Sequence, residues 1–233
     1  MAITVARAHA EADAAASAAD VEIRPADIPE LIGFLESIWG EGRAGDPSFL
    51  RAISHAGNSV LVASRGGRSV GAALGVLGWA GGIHLHSHMV AVDPAIRASG
   101  IGFAIKLAQR AECLDNGVTE MRWTFDPLIR RNAHFNLVKL GARVSAFHPD
   151  FYGVLADDIN GTDATDRCEV SWRLDEPVGA RPAVGATDLE LPADFEALRR
   201  DSPDEASALR ARSRAAFLAA ERFAPTEFGW LLH

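Results

Sequence analysis

Residues 83–110, IHLHSHMVAVDPAIRASGIGFAIKLAQR, constrain the fold more than any other part of the chain. They read as a buried strand from Ile83 to Val92, a turn at Asp93-Pro94, and a glycine-bearing loop. The loop, Arg97-Ala98-Ser99-Gly100-Ile101-Gly102, opens directly into a helix that runs from about Gly102 to Asn116. The start of a helix presents N–H groups without intrahelical acceptors and a partial positive charge, so this junction suits a phosphate. Gly100 and Gly102 let a diphosphate approach the backbone with no Cβ in the way. Upstream, His84, His86 and His88 stand at period two and are expected on one face of the strand. An anion cradle and an ionisable face thus share one strand-loop-helix unit.

The flanking segments supply partners for that unit. Residues 5–19 are alanine-rich and admit either a helix or a frayed tail. Val21–Arg24 is a short strand. Asp27 precedes a helix over Ile28–Trp39, and Asp46 precedes another over Pro47–Ala56. Ser59–Ser64 and Ser69–Leu77 alternate as strands around Arg65-Gly66-Gly67-Arg68, a hairpin turn. Glu120–Phe125 is a strand ending at Asp126-Pro127, and Asn132–Leu140 is a helix stopped by Gly141. Arg143–Phe147 and Cys168–Leu174 complete the strands. The order predicts a mixed α/β domain over residues 21–176, an antiparallel meander that crosses over to a parallel neighbour. Residues 1–20 form an N-terminal helix or tail. From 177 to 233 a Pro/Gly/Ala-rich linker (Pro177–Ala186) leads to helices over about Pro192–Arg200 and Pro203–Arg222. That extension can rest on the core or serve a subunit contact, so a homodimer stays open.

Composition excludes more than it assigns. A net charge of −8 argues against a general nucleic-acid binder, whose footprint is basic. Two cysteines, Cys113 and Cys168, make no disulfide framework and no metal spacing, which points to a reducing, cytoplasmic setting. The N-terminus has no apolar run of signal-peptide type, and no stretch approaches the ~18 apolar residues of a membrane span. The histidines admit three readings: a base for proton transfer, two ligands of a metal ion, or hydrogen-bonded side chains in a core or pocket wall. No Asp, Glu or Cys stands at a recognisable spacing to complete a metal set, so no metal is expected. Asp126, at a strand end where ligands gather, either holds a cationic amine or begins the turn at Pro127. The loop lacks the first glycine of a dinucleotide fingerprint, and no Gly-Lys-Ser/Thr follows for a P-loop.

The residues Val92-x-Pro94 followed by Arg97-x-x-Gly100-x-Gly102, between this strand and this helix, resemble the acyl-CoA loop of the GNAT N-acetyltransferase superfamily. The resemblance covers about Val21 to Leu174. LHSHMVAVDP, RWTFDP and RNAHFNLVKLGA are also similar to a bacterial branch of that superfamily whose members carry a C-terminal extension. It implies a mostly antiparallel sheet splayed at one parallel strand pair, and an acyltransferase using acetyl-CoA or another acyl-CoA such as succinyl-CoA. The acceptor it implies is the amine of a small molecule. The cofactor-binding residues would be Val90, Ala91 and Val92 on the strand, Arg97, Ala98, Ser99, Gly100, Ile101, Gly102 and Phe103 in the loop, and Asn132. A base eleven residues before Arg97 falls on His86, with His88 beside it and His84 on the acceptor side. The tyrosine that often protonates the leaving thiolate is replaced by Leu137. Asn136, four residues from Asn132 and so on its face, is the polar group left near the sulfur. Asp126 and Tyr152, the only tyrosine, are assigned to the acceptor side. Without the tyrosine, a non-catalytic CoA-binding module is the alternative.

Overall fold

The alternating stretches between Ser59 and Val92 form an antiparallel meander in the computed structural model, which describes residues 2–96, 99–153, 163–179, 187–226 and 228–232. Two compact units divide the chain: Met1–Arg122 with Arg173–Pro177, and Trp123–Trp172 with Val178–His233. These boundaries differ from the expected partition into a core domain and an extension, because the C-terminal helices cluster with residues 123–172.

The first unit holds strands β1 (Glu22–Pro25), β2 (Val60–Arg65), β3 (Arg68–Gly78), β4 (His84–Val92) and the start of β5 (Glu120–Phe125), hydrogen-bonded in that order. Gly66 and Gly67 both take positive φ, +57° and +78°, as a tight hairpin between right-twisted strands requires. β4 and β5 run parallel, and among the described residues their ladder consists of Leu85↔Met121 and His86↔Arg122. Helices α2 (Ile28–Trp39) and α3 (Pro47–His55) cover one face. Leu31, Leu35 and Leu50 pack there with Ala72, Leu74, Met89 and Ala91. Helix α4 (Ile101–Asp115) covers the other, where Ile101, Ala104 and Ile105 meet Leu61, Val70, Ala73, Val90 and Val92. The N-terminal segment is a helix, α1 (Val5–Ala18), with Thr4 as its cap and Ala8 and Ala12 buried. It packs along α4, so α4 is enclosed on both sides. That is why Arg110 is fully buried: its guanidinium donates to Glu11 and to the carbonyls of Leu174 and Glu176.

The strand expected to carry three histidines on one face is bulged. Leu74 lies opposite Met89 and Gly75 opposite Ser87, so His88 is an extra residue with no cross-strand partner. Up to Ser87 the odd positions face α4; beyond His88 the even positions, Val90 and Val92, do so. The bulge reverses the alternation in mid-strand.

The second unit contains the rest of β5, β6 (Arg143–His148) and β7 (Arg167–Arg173), in the order β5-β7-β6 with β6 and β7 antiparallel. Helix α5 (Arg130–Ala133) passes into a π-helical turn, His134–Lys139, where an ordinary α-helix was expected. The extension is more than helical. Besides α6 (Phe195–Asp201) and α7 (Pro203–Ala219), it forms β8 (Leu189–Glu190), β9 (Phe223–Pro225) and β10 (Gly229–Leu232), a small sheet ordered β8-β10-β9. Trp230 of β10 is fully buried. Its indole N–H donates to the carbonyl of Pro127, and Phe217 of α7 stacks on Phe147 of β6. Most of the linker, 180–186, lies outside the described residues. Mixed strands with covering helices make the architecture α/β.

Candidate active site

The α4 junction forms as the sequence requires. Gly100 is the N-cap, in the left-handed conformation at φ +87° and ψ −8°, and no side chain among the described residues caps the helix. A side chain with a Cβ is strained at that φ. The carbonyl of Gly100 accepts from Ala104 and so closes the first turn, whose leading N–H groups have no intrahelical acceptor. A Cβ on Gly102 would meet nothing closer than Val92 Cγ2 at 3.7 Å, so the glycine leaves open space rather than relieving a packing clash. The Ser99 hydroxyl oxygen is buried and has no hydrogen-bond partner among the described residues. An uncapped turn, a missing side chain and an orphaned hydroxyl fit an anionic group such as a diphosphate. Arg97 and Ala98 lie outside the described residues.

His84 and His86, both upstream of the bulge, share the face turned away from α4, and His88 is the bulged residue beside them. His84 is buried, with Nδ1 2.8 Å from the Gly82 carbonyl, and its ring fills the space over Gly78, where a Cβ would stand 2.7 Å from Nε2. It braces the β3–β4 turn and is not presented to an acceptor. His86 is half-buried, between Val76 of β3 and Arg122 of β5 in the ladder. His88 is exposed on the bulge, its ring centroid 5.9 Å from that of His86. Desolvation by the surrounding atoms holds its pKa below the ordinary imidazole value. Beyond the bulge, the N–H of Asp93 donates to the carbonyl of Val70. Antiparallel alternation therefore turns the N–H of Ala91 toward β3 and those of Val90 and Val92 away from it.

Beneath β4 runs a buried polar chain that sequence reading missed. Lys106 Nζ donates to Ser87 Oγ at 2.8 Å, Ser87 donates to Gln109, Gln109 donates to Ser59, and Ser59 donates to Glu112 at 2.6 Å. Burial lowers the Lys106 pKa to about 7 and raises that of Glu112. Lys106, Gln109 and Arg110 interrupt the apolar pattern of α4, which was the available signal.

In the second unit three expected site residues are held by neighbours. Asp126 is buried. It accepts from the N–H of Leu128, as the turn reading requires, and takes a bidentate contact from Arg210 at 2.9 and 2.7 Å. Its carboxylate is already paired, so it offers no open seat for an amine. Asn136 is buried and accepts from the Trp123 indole at 3.2 Å. Asn132 is half-buried, and the π turn that begins between them breaks the i, i+4 face they were expected to share. Tyr152 is partly exposed, its hydroxyl 3.1 Å from Thr124 Oγ1 and its ring under Arg167. Leu137 is buried.

No group of three or more His, Cys, Asp or Glu side chains among the described residues is disposed to hold a metal ion. No helix among them is long and apolar enough to cross a membrane.

No family model and no curated protein sequence matches the chain. Solved structures do. The yncA protein of Salmonella typhimurium, with its cofactor acetyl-CoA, is 22% identical; the match has a TM-score of 0.52 and covers 71% of this chain and 99% of that one. Arabidopsis thaliana Naa50, in complex with a bisubstrate analogue of CoA and a peptide, is 18% identical at a TM-score of 0.52, over 65% of this chain and 97% of that one. An N-acetyltransferase from Staphylococcus aureus is 14% identical at 0.51, over 66% and 98%. In each case nearly the whole neighbour matches about two-thirds of this chain. The chain has the fold of the GNAT acetyltransferases.

Proposed function

We propose that the protein is an acyl-CoA-dependent N-acyltransferase that moves an acetyl group, or a longer acyl group such as succinyl, directly onto the amine of a small molecule. The observation that carries this reading is the uncapped, glycine-started α4 immediately downstream of a bulged histidine strand. Its fold neighbours are acetyltransferases, two of them solved with acetyl-CoA or a CoA analogue. The donor supplies an activated thioester. The Gly100–Gly102 turn and the Ser99 hydroxyl hold its diphosphate by hydrogen bonds and helix polarity. An N–H of Val90 or Val92, turned away from β3, polarises the thioester carbonyl. His86 takes a proton from the amine, directly or through water, as the new C–N bond forms and the C–S bond breaks. The thiolate leaves and is protonated by solvent, since Leu137 supplies no acid.

The test is amine-dependent release of free thiol from acetyl-CoA across a panel of small amines. Thiol release with at least one amine is expected. CoA binding with no release for any amine would favour the non-catalytic CoA-binding module, which the apolar Leu137 position supports. His86→Ala is expected to lower kcat about a hundredfold or more with the KM for acetyl-CoA little changed. His88→Ala should cost less. Wild-type turnover of His86→Ala from about pH 6 to 9 would remove His86 from the base role.

A further inference from the structure

We propose that the C-terminal end of α1 is the back wall of the diphosphate loop and that Arg65 is the positioning residue that makes this wall compatible with an anion. The inference rests on the acyl-CoA reading above. Ala19, the C-cap of α1, is 3% exposed, and its Cβ lies 3.7 Å from where a Cβ of Gly100 would stand. Helix α1 closes by donating the N–H of Asp20 to Ser17 and that of Val21 to Ala16. This closure needs a left-handed residue, and Asp20 provides it at φ +52°. The carbonyls of Ala19 and Asp20 are left over, and both accept from the Arg65 guanidinium, the latter at 3.0 Å.

The charge argument follows from these contacts. A helix C-terminus carries a partial negative charge. Ending against Gly100, it would be an unfavourable neighbour for a diphosphate. Arg65 consumes the two outward carbonyls and adds a fixed positive charge beside the loop. The Asp20 carboxylate, 3.5 Å from Arg65, is 89% exposed, so water screens it. Arg68, across the same hairpin corner, is occupied by Asp93 at 2.6 Å. Arg65 therefore acts on the cofactor through the wall and its field, without contact.

Calorimetric titration with CoA and with pantetheine, which lacks the diphosphate, tests this. Arg65→Gln should raise the Kd for CoA about three- to tenfold at low salt. The pantetheine Kd should stay unchanged, and Arg65→Lys should recover most of the loss. Ala19→Leu, which crowds Gly100 and leaves Arg65 in place, should also weaken CoA and spare pantetheine. If the wild-type protein fails to bind CoA, the acyl-CoA reading falls and this inference falls with it. If the wild type binds CoA and Arg65→Gln binds it equally well, or loses both ligands alike, the role of Arg65 is overturned. Should Arg65→Gln not fold, unchanged CoA affinity in Ala19→Leu overturns the wall.

Discussion

Lys106 stands far from its ordinary chemistry. It is an amine with 3% exposure, held by the Ser87 hydroxyl, and burial brings its pKa from 10.5 to about 7. The unfolded chain therefore binds a proton that the folded chain releases between pH 7 and 10.5. The cost to folding is fully present below about pH 7 and fades as pH rises toward the unfolded value. At about 1.4 kcal/mol per pKa unit, that cost is on the order of several kcal/mol. Lys106→Met should raise the melting temperature strongly near pH 6 and much less near pH 9.5. Equal gains at both values would mean that burial of the charge is not what the lysine costs. The sequence displays Lys106 as a polar break in an amphipathic helix. Its burial depends on α4 lying against β4 and β5, whose Ser87 and Met121 its ammonium group contacts.

Two elements decide the site. The first is the start of α4. Gly100→Glu combines strain at positive φ with a carboxylate beside the expected phosphates, so it should abolish measurable CoA binding while the circular dichroism spectrum is kept. Retained affinity would remove the diphosphate assignment. This junction was legible in the sequence because every requirement is local: a strand, two glycines and a helix within about twenty residues. The second element is the β4 bulge. Deleting His88 would set Met89 directly after Ser87 and restore simple alternation, with Val90 and Val92 still facing Ile101 and Ile105. The variant should fold with a urea midpoint close to that of the wild type. A loss of several kcal/mol would show that the bulge itself stabilises β4. The bulge was not legible, because it is defined by which β3 residue opposes which β4 residue. His84 and His86 keep the expected shared face, His84 as a brace, and His88 stands on the bulge with its ring beside that of His86. The shared face of Asn132 and Asn136 failed, since a π turn is set by what its residues pack against.

At the scale of the whole molecule, the C-terminal extension is integrated into the unit that begins at Trp123. Arg210 of α7 is 4% exposed and pairs with Asp126, 5% exposed, and with Asp163 at 2.7 Å. Removing Arg210 strips the hydrogen-bonded partner from two buried carboxylates and leaves them longer contacts, Asp126 with Arg167 at 3.6 Å and Asp163 with Arg199 at 3.6 Å. Arg210→Ala should therefore cost about 3–5 kcal/mol in urea unfolding, and Arg210→Met with Asp126→Asn should recover much of it. A cost below ~1 kcal/mol would show that the pair is solvated in practice. The sequence alone determined the α/β class, the order of the core elements and the position of the glycine loop that opens α4, because hydrophobic period, turn residues and helix starts are local quantities. Only the tertiary structure decided that Asp126 is committed to Arg210, that Asn136 serves an indole, that Lys106 is buried, and that α1 ends against Gly100. Each of those depends on residues of different elements meeting in space, from 13 positions apart for Asn136 and Trp123 to 84 for Asp126 and Arg210, and no periodicity or turn signal encodes where such a partner will arrive.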